Sequence, residues 1–218
     1  MPTFMTEAIA RTLYKSPVPQ QVINGVVQNP QPPITYGPDY DAIDYVSKYE
    51  TRRNWLTGRG LDNNADVLVV GCGYGALIAY LMDAGINTYG LEPGSWIWDN
   101  INDFQPEAAV RAVMGDDWVG SGTEKATLNA LGFGGNARFT FVVDEDAAPA
   151  HTDAELPAFI SGLEDRLQGN ARGRIIHIVS VMDIERGPGD SSQNWKTLAD
   201  WKAVEPAHTW VDRRGNIG

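Results

Sequence analysis

Residues 67–75 read VLVVGCGYG. Four apolar residues run straight into a turn in which every other residue is glycine. A continuous apolar run of this length, closed by a turn signal, is the pattern of a strand buried on both faces. Glycine supplies the positive φ of a tight turn and leaves room for another group to approach the backbone. The next segment, GALIAYLMDAG over 75–85, is apolar almost all round, which predicts a buried helix. A helix opening at Ala76 aims its unpaired N–H groups at the same turn.

The strand–helix alternation continues along the chain. INTYGLE (86–92), AVRAVM (109–114), RFTFVV (138–143) and RIIHIVS (174–180) have strand length and apolar content. Helices are predicted for SWIWDNINDF (95–104) and, more briefly, for EKATLNAL (124–131). Thr152 and Glu155 have capping-box spacing, and Leu156, Phe159, Ile160, Leu163 and Leu167 then mark one helical face. Thr197 and Asp200 frame a last short helix, LADWKAVE, stopped by Pro206, and HTWVDRR (208–214) reads as a final strand. Strands alternating with helices predict a parallel, doubly wound α/β sheet, Rossmann-like, with every strand C-terminus on one edge.

Residues 1–60 read differently and are taken as an N-terminal extension. Pro17, Pro19, Pro30, Pro32 and Pro33 break its first half into extended pieces. A helix is expected over 39–57, with Asp39 as N-cap, Ile43, Val46, Tyr49 and Trp55 near one stripe, and Gly58 and Gly60 ending it. Tyr36, Tyr40, Tyr45 and Tyr49 either form a lid over the strand ends or pack the extension onto the sheet. Residues 61–218 form the α/β domain.

The chain has 218 residues, a net charge of −11 and one cysteine, Cys72, so it forms no internal disulfide. No signal-peptide pattern and no apolar run of about 20 residues is seen, which predicts a soluble, cytoplasmic protein without a membrane span. An acidic field repels phosphate backbones and anionic lipid, so nucleic acid is disfavoured as a partner. Arg52, Arg53, Arg59, Arg172, Arg174, Arg213 and Arg214 are the candidates for a local basic patch, and solvated surface is the simpler reading of most. No histidine pair has metal-ligand spacing, so no metal is predicted.

The glycine turn is open to more than one ligand. Gly71, Gly73 and Ala76 fit a dinucleotide fingerprint, and Glu92 at the next strand-end suits ribose hydroxyls in any adenosine compound. The third strand ends in Gly115-Asp116-Asp117-Trp118, where an acid can accept from an adenine amino group and Trp118 can flank the ring. The fourth ends in Val143-Asp144-Glu145-Asp146. Acids at three successive strand-ends, Glu92, Asp116 and Asp144, suit a ligand with a cationic centre better than a pyrophosphate.

On these residues the chain resembles the class I S-adenosylmethionine-dependent methyltransferases over about residues 64–185, with a weaker echo in NWKTLADWK. The motifs are VLVVGCGYG, YGLEP, MGDD, and FTFVVDED with the helix and strand that follow. The resemblance implies a seven-stranded sheet with an antiparallel last strand. It implies S-adenosylmethionine as cofactor, S-adenosylhomocysteine as product, and binding by Gly71, Cys72, Gly73, Gly75, Glu92, Pro93, Asp116, Asp117, Trp118 and Asp144. Many members carry an acid two residues before the first glycine. Here that residue is Val69, so backbone atoms or Asp144 must hold the methionine amino group.

The acceptor side is read from Asp144, Asp146 and His151. Asp144 meets the cofactor's amino acid end or the acceptor, or else caps the following helix. Asp146 orients the acceptor or stays solvated, and His151 faces the acceptor or lies near a helix start. Cys72 is read as a small packing residue rather than a nucleophile, His177 as a packed strand residue, and His208 as incidental. The acceptor is expected to be a small molecule or a protein. Two other readings stay open: a nicotinamide- or flavin-dependent oxidoreductase, and a methyltransferase-like binding module without catalysis.

Overall fold

The computed structural model describes residues 22–23, 26–27, 52–72, 76–92, 112–114, 138–169, 171–179, 181, 194 and 196–212. Strands β1 (Val22–Ile23) and β2 (Val26–Val27) pair antiparallel as a small separate sheet. Helix α1 has its described part at 52–58, the end of the helix expected over 39–57; residues 39–51 lie outside the described residues. The alternating region contributes β3 (Asp66–Val70), α2 (Ala76–Asp83), β4 (Asn87–Glu92) and β5 (Ala112–Met114). Then come β6 (Phe141–Glu145), α3 (Leu156–Asp165), β7 (Ile175–Val179), α4 (Leu198–Val204) and β8 (Thr209–Asp212). The helices expected over 95–104 and 124–131 fall outside the described residues.

The main sheet runs β5-β4-β3-β6-β7-β8, and every pairing in it is parallel. This is a Rossmann-like, doubly wound α/β sheet. The chain winds outward from β3 through β4 to β5, returns to β6 beside β3, and winds the other way to β8. The direction reverses between β3 and β6, and a crevice opens at the strand C-termini of such a switch point.

The seven-stranded sheet with an antiparallel last strand is not met among the described residues. They hold six strands in this sheet, and β8 lies parallel to β7 from Ile176↔Thr209 to Val179↔Asp212. The connection explains the direction. Helix α4 lies between β7 and β8 in the chain, and a crossover through a helix returns a strand parallel to its predecessor, whereas an antiparallel neighbour needs only a hairpin. The register fills β7's outer edge and leaves no slot for another strand between the two.

Side-chain alternation divides the core between the two faces. Val67 and Val69 of β3, Phe141 and Val143 of β6, and Ile176 and Ile178 of β7 pack with Leu56 of α1 and Leu77, Ile78 and Leu81 of α2. Leu68, Val70, Leu91, Val142, Ile175 and Val179 face the other way, against Phe159, Ile160 and Leu163 of α3 and Trp201 of α4. The apolar runs that predicted these strands are continuous because both faces are covered.

Of the two helix starts expected from capping residues, α4 carries the full box and α3 only its carboxylate half. Thr197 and Asp200 form a complete capping box on α4. At α3, the Glu155 carboxylate accepts from the Thr152 N–H and hydroxyl, each at 2.8 Å, and regular helix begins one turn later at Leu156. Pro157 is seated in the first turn of α3, where no N–H is needed. Among the described residues no helix is long and apolar enough to cross a membrane.

Candidate functional site

The parallel sheet brings its strand C-termini together: Met114, Glu92, Val70, Glu145, Val179 and Asp212 end neighbouring strands along one edge. The register sets Glu92 beside Met114, so Asp116 follows two residues beyond Glu92's partner. Nothing further is described of the Glu92 side chain. Gly73, Gly75, Pro93, Asp116, Asp117 and Trp118 lie outside the described residues.

Gly71 opens the turn with φ +76°. A Cβ there would lie 2.6 Å from the Glu145 carbonyl oxygen and 3.2 Å from Ala147 Cβ, so the turn passes against the end of β6 with no room for a side chain. The Gly71 and Cys72 N–H groups both donate to the Leu91 carbonyl, at 2.8 and 3.3 Å. Both N–H groups thus tie the start of the turn to the end of β4. The Cys72 side chain is buried on β4: a Cβ at Gly90 would meet its Sγ at 2.5 Å and Ile78 Cδ1 at 2.6 Å. Its thiol fills the hollow over Gly90, which is the packing role, and only its backbone remains near the turn.

Asp144 is fully buried. Its Oδ1 accepts from the Ala147 and Ala148 N–H groups at 2.7 and 3.2 Å, and its Oδ2 lies 2.7 Å from His177 Nδ1. The carboxylate thus anchors the first turn of the loop after β6, including the 3₁₀ turn Ala148–Ala150. These bonds hold the loop ahead of α3, whose own N-terminus begins at Leu156.

Asp146 and His151 sit on that loop. Asp146 has φ +61° and is half-buried, and its N–H donates to the Ile178 carbonyl at 2.8 Å. Aspartate tolerates this left-handed conformation better than most residues. His151 stacks on Phe159 with ring centroids 4.3 Å apart. Burial lowers its basicity, partly offset by Asp144 and Glu155. The loop is braced from outside as well. The Asn194 N–H donates to the Pro149 carbonyl at 2.7 Å, and Lys196 pairs with Asp153 at 2.6 Å.

Two features of the site were not expected. Arg52 of α1 donates to Glu145 at the end of β6, and both side chains are about nine-tenths buried (10% and 9% exposed). Arg52 is therefore not solvated surface. The signal available was its spacing from Leu56, four residues on and fully buried on the same helical stripe. Arg53 lies over Tyr80, Arg59 over Trp55, and Arg172 pairs with Glu164, while Arg59 and Arg172 stay exposed, as the surface reading expects. The second feature is a buried chain of polar groups, Asp144–His177–His208, on the face covered by α3 and α4. His177 stacks on Trp210 at 3.7 Å. His177 is packed, as expected, but both of its nitrogens are engaged. His208 is not incidental. Among the described residues no cluster of His, Cys, Asp and Glu could hold a metal ion.

No protein-family model and no curated protein matches the chain. Solved structures do. The magnesium protoporphyrin IX methyltransferase of Synechocystis PCC 6803, with bound SAH, aligns at TM-score 0.52 and 16% identity, over 75% of this chain and 72% of that one. An S-adenosylmethionine-dependent methyltransferase from Clostridium acetobutylicum ATCC 824 aligns at TM-score 0.42 and 15% identity, over 55% of this chain and 46% of its own. The first likeness shows that the chain has the fold of class I methyltransferases.

Proposed function

We propose that the chain is an S-adenosylmethionine-dependent methyltransferase acting on a small molecule or a protein. The observation that carries this reading is the turn at Gly71. It sits at the switch point of a sheet with the methyltransferase fold, directly after β3, with Glu92 ending the neighbouring strand. Gly71 has no room for a Cβ because the turn packs against the end of β6, and this fixes the path on which Gly73 and Gly75 enter the turn.

In this reading Gly73 and Gly75 cradle the ligand, Glu92 takes the ribose hydroxyls, and Asp116, with Asp117, Pro93 and Trp118, borders the adenine. The cofactor, when bound, supplies a sulfonium methyl for in-line transfer. The protein's part is to position the acceptor and keep water out, and to take a proton only where the acceptor carries one. Asp146 and His151 orient the acceptor. Asp144 sets the loop that bears them. Burial favours neutral His151, so it accepts a proton rather than delivering one. The net charge of −11, and the burial of Arg52 against Glu145, support an acceptor other than nucleic acid.

Calorimetry with S-adenosylhomocysteine tests the reading. Micromolar binding is expected, lost in Glu92→Ala and in Asp116→Ala; a wild-type protein that binds nothing refutes it. One observation favours a second reading. An all-parallel order of this kind, β5-β4-β3-β6-β7-β8, is also the common order of dinucleotide-binding sheets. A change in NAD(P)H fluorescence on adding the protein would support that oxidoreductase reading instead.

A further inference from the structure

Arg52 and Glu145 form an ion pair whose place in the fold is not explained by stability. Arg52 of α1 donates to the Glu145 carboxylate at the end of β6, and the two side chains are 10% and 9% exposed. A buried ion pair holds a fold together no better than a well-packed apolar pair of similar volume, because both charges must leave water. The strand pattern also calls for an apolar residue at 145, since Phe141 and Val143 on the same face of β6 are buried in the core. A charge kept against both rules points to function at that position.

The register says what that position is. Val70 pairs with Asp144, so Glu145 stands level with Gly71, the first residue of the glycine turn. The Glu145 carbonyl oxygen lies 2.6 Å from where a Gly71 Cβ would be. The face of β6 that carries Phe141 and Val143 is also the face covered by α2, whose first residue is Ala76. The pair therefore stands at the switch point, on the side of α1 and α2, at the height of the turn.

The sheet order gives a ligand its direction. In the methyltransferase reading, on which this inference rests, the adenine lies at the end of β5 and the ribose at the end of β4, with the turn after β3 next. A ligand laid along that order brings its far end to β6. The span from β5 to β6 is three strand spacings, about 14 Å, comparable to the length of an extended S-adenosylmethionine. The far end of that molecule is an α-amino acid, with an ammonium and a carboxylate on one carbon. Val69 stands where many methyltransferases carry an acid, and it is fully buried in the apolar core. Asp144 is 0% exposed, with Oδ1 bonded to two backbone N–H groups and Oδ2 to His177. The next acid along β6 is Glu145.

We propose that the Arg52–Glu145 pair is the seat of the cofactor's amino acid end: Glu145 takes the ammonium and Arg52 the carboxylate. An ion pair sets one charge of each sign side by side, which is the complement of a zwitterion. The guanidinium is a planar fork that meets a carboxylate through two N–H groups, and a buried setting strengthens each contact. The seat joins α1, which precedes the alternating region, to the end of β6.

Calorimetry on the full chain with two ligands tests the seat. S-adenosylhomocysteine carries the amino acid end, whereas 5′-deoxy-5′-methylthioadenosine has the same adenosine and sulfur and ends in a methyl group. Wild type is expected to bind the first about 100-fold more tightly. Arg52→Met combined with Glu145→Leu removes both charges together, so that neither is left buried alone. In that variant the S-adenosylhomocysteine Kd is expected to weaken about 100-fold, while the methylthioadenosine Kd stays within about twofold. Arg52→Lys keeps the charge without the fork and is expected to weaken S-adenosylhomocysteine about tenfold, again with methylthioadenosine unchanged; it decides the matter where the double variant does not fold. Equal loss for both ligands makes the pair a packing feature and overturns the seat, while the methyltransferase reading stands. Equal affinity of the wild type for the two ligands, or an unchanged S-adenosylhomocysteine Kd in the double variant, does the same. A wild type that binds neither ligand refutes the methyltransferase reading itself, and the seat with it.

Discussion

Substituting His208 by asparagine should remove a specific part of the protein's acid sensitivity. In the unfolded chain a histidine takes up its proton near 6.5, whereas folded His208 resists until about 4, because burial and the neighbouring His177 disfavour its charged form. As pH falls below about 6.5 the unfolded state therefore binds a proton that the native state does not, and stability is lost. The loss is complete once pH has passed through the folded value. At 1.36 kcal/mol per pH unit, this interval corresponds to about 3 kcal/mol. Asparagine keeps a hydrogen-bonding group beside His177 Nε2, able to donate or accept, and has nothing to titrate. Urea unfolding of the two proteins should thus give a constant stability difference above about pH 7.5, narrowing by about 3 kcal/mol on the way to about pH 4. The surface carboxylates Asp153 and Glu155, held low by hydrogen bonds from Lys196, Asn194 and Thr152, are common to both proteins and cancel. Parallel stability curves across that range would refute the reasoning, since they would mean that His208 titrates alike in both states.

Gly71→Ala should destabilise the fold by about 2–4 kcal/mol in the same assay, because it combines φ +76° with a Cβ 2.6 Å from a backbone oxygen that cannot swing aside. Arg52→Ala should cost about 3 kcal/mol by leaving the Glu145 charge buried without that partner, and the double change Arg52→Ala with Glu145→Gln should recover part of the loss in a double-mutant cycle. Trp201→Leu should cost about 3 kcal/mol, since the indole is fully buried and stacks 5.5 Å from Trp210, and should shift the tryptophan fluorescence of the native state. A ring-nitrogen NMR titration should place the midpoint of His151 below 6.5, in keeping with its burial against Phe159.

The strands of the sheet were legible for a physical reason. A strand covered on both faces has no polar alternation to blur it, so DVLVV and RIIHIV stand out as unbroken runs. Their limits were less clear. RFTFVV predicted a strand over 138–143, whereas β6 spans Phe141–Glu145, with Phe139 forming only an isolated bridge to Leu167. The shift places Asp144 and Glu145 inside the strand, where apolar content no longer marks the structure. The hairpin of β1 and β2 had a local signal: Asn24-Gly25, the pair that favours a two-residue turn, lies between Ile23 and Val26. The prolines around it masked that signal. The direction of β8 was not legible, because an apolar run looks the same whichever way its neighbour points.

The site divides along the same line. What the glycine turn needs is local: its residues are consecutive and each carries a conformational requirement, so VLVVGCGYG announced it. The Asp144–His177–His208 chain is not local. Its members are 33 and 31 residues apart. Period two places His177 on the same face of β7 as Ile175 and Val179, but not opposite Asp144; only the strand register does that. A slip of one residue would turn His177 to the face of Ile176 and Ile178 and bury an imidazole among aliphatic groups with no acceptor. The network therefore penalises every register but the observed one, while the aliphatic neighbours on either face would tolerate a slip far better. On this argument the polar row, rather than the apolar runs that predicted the strands, selects the alignment of β6, β7 and β8. The same row then fixes where the loop after β6 meets Gly71, so one set of contacts sets both the register of half the sheet and the shape of the crevice edge.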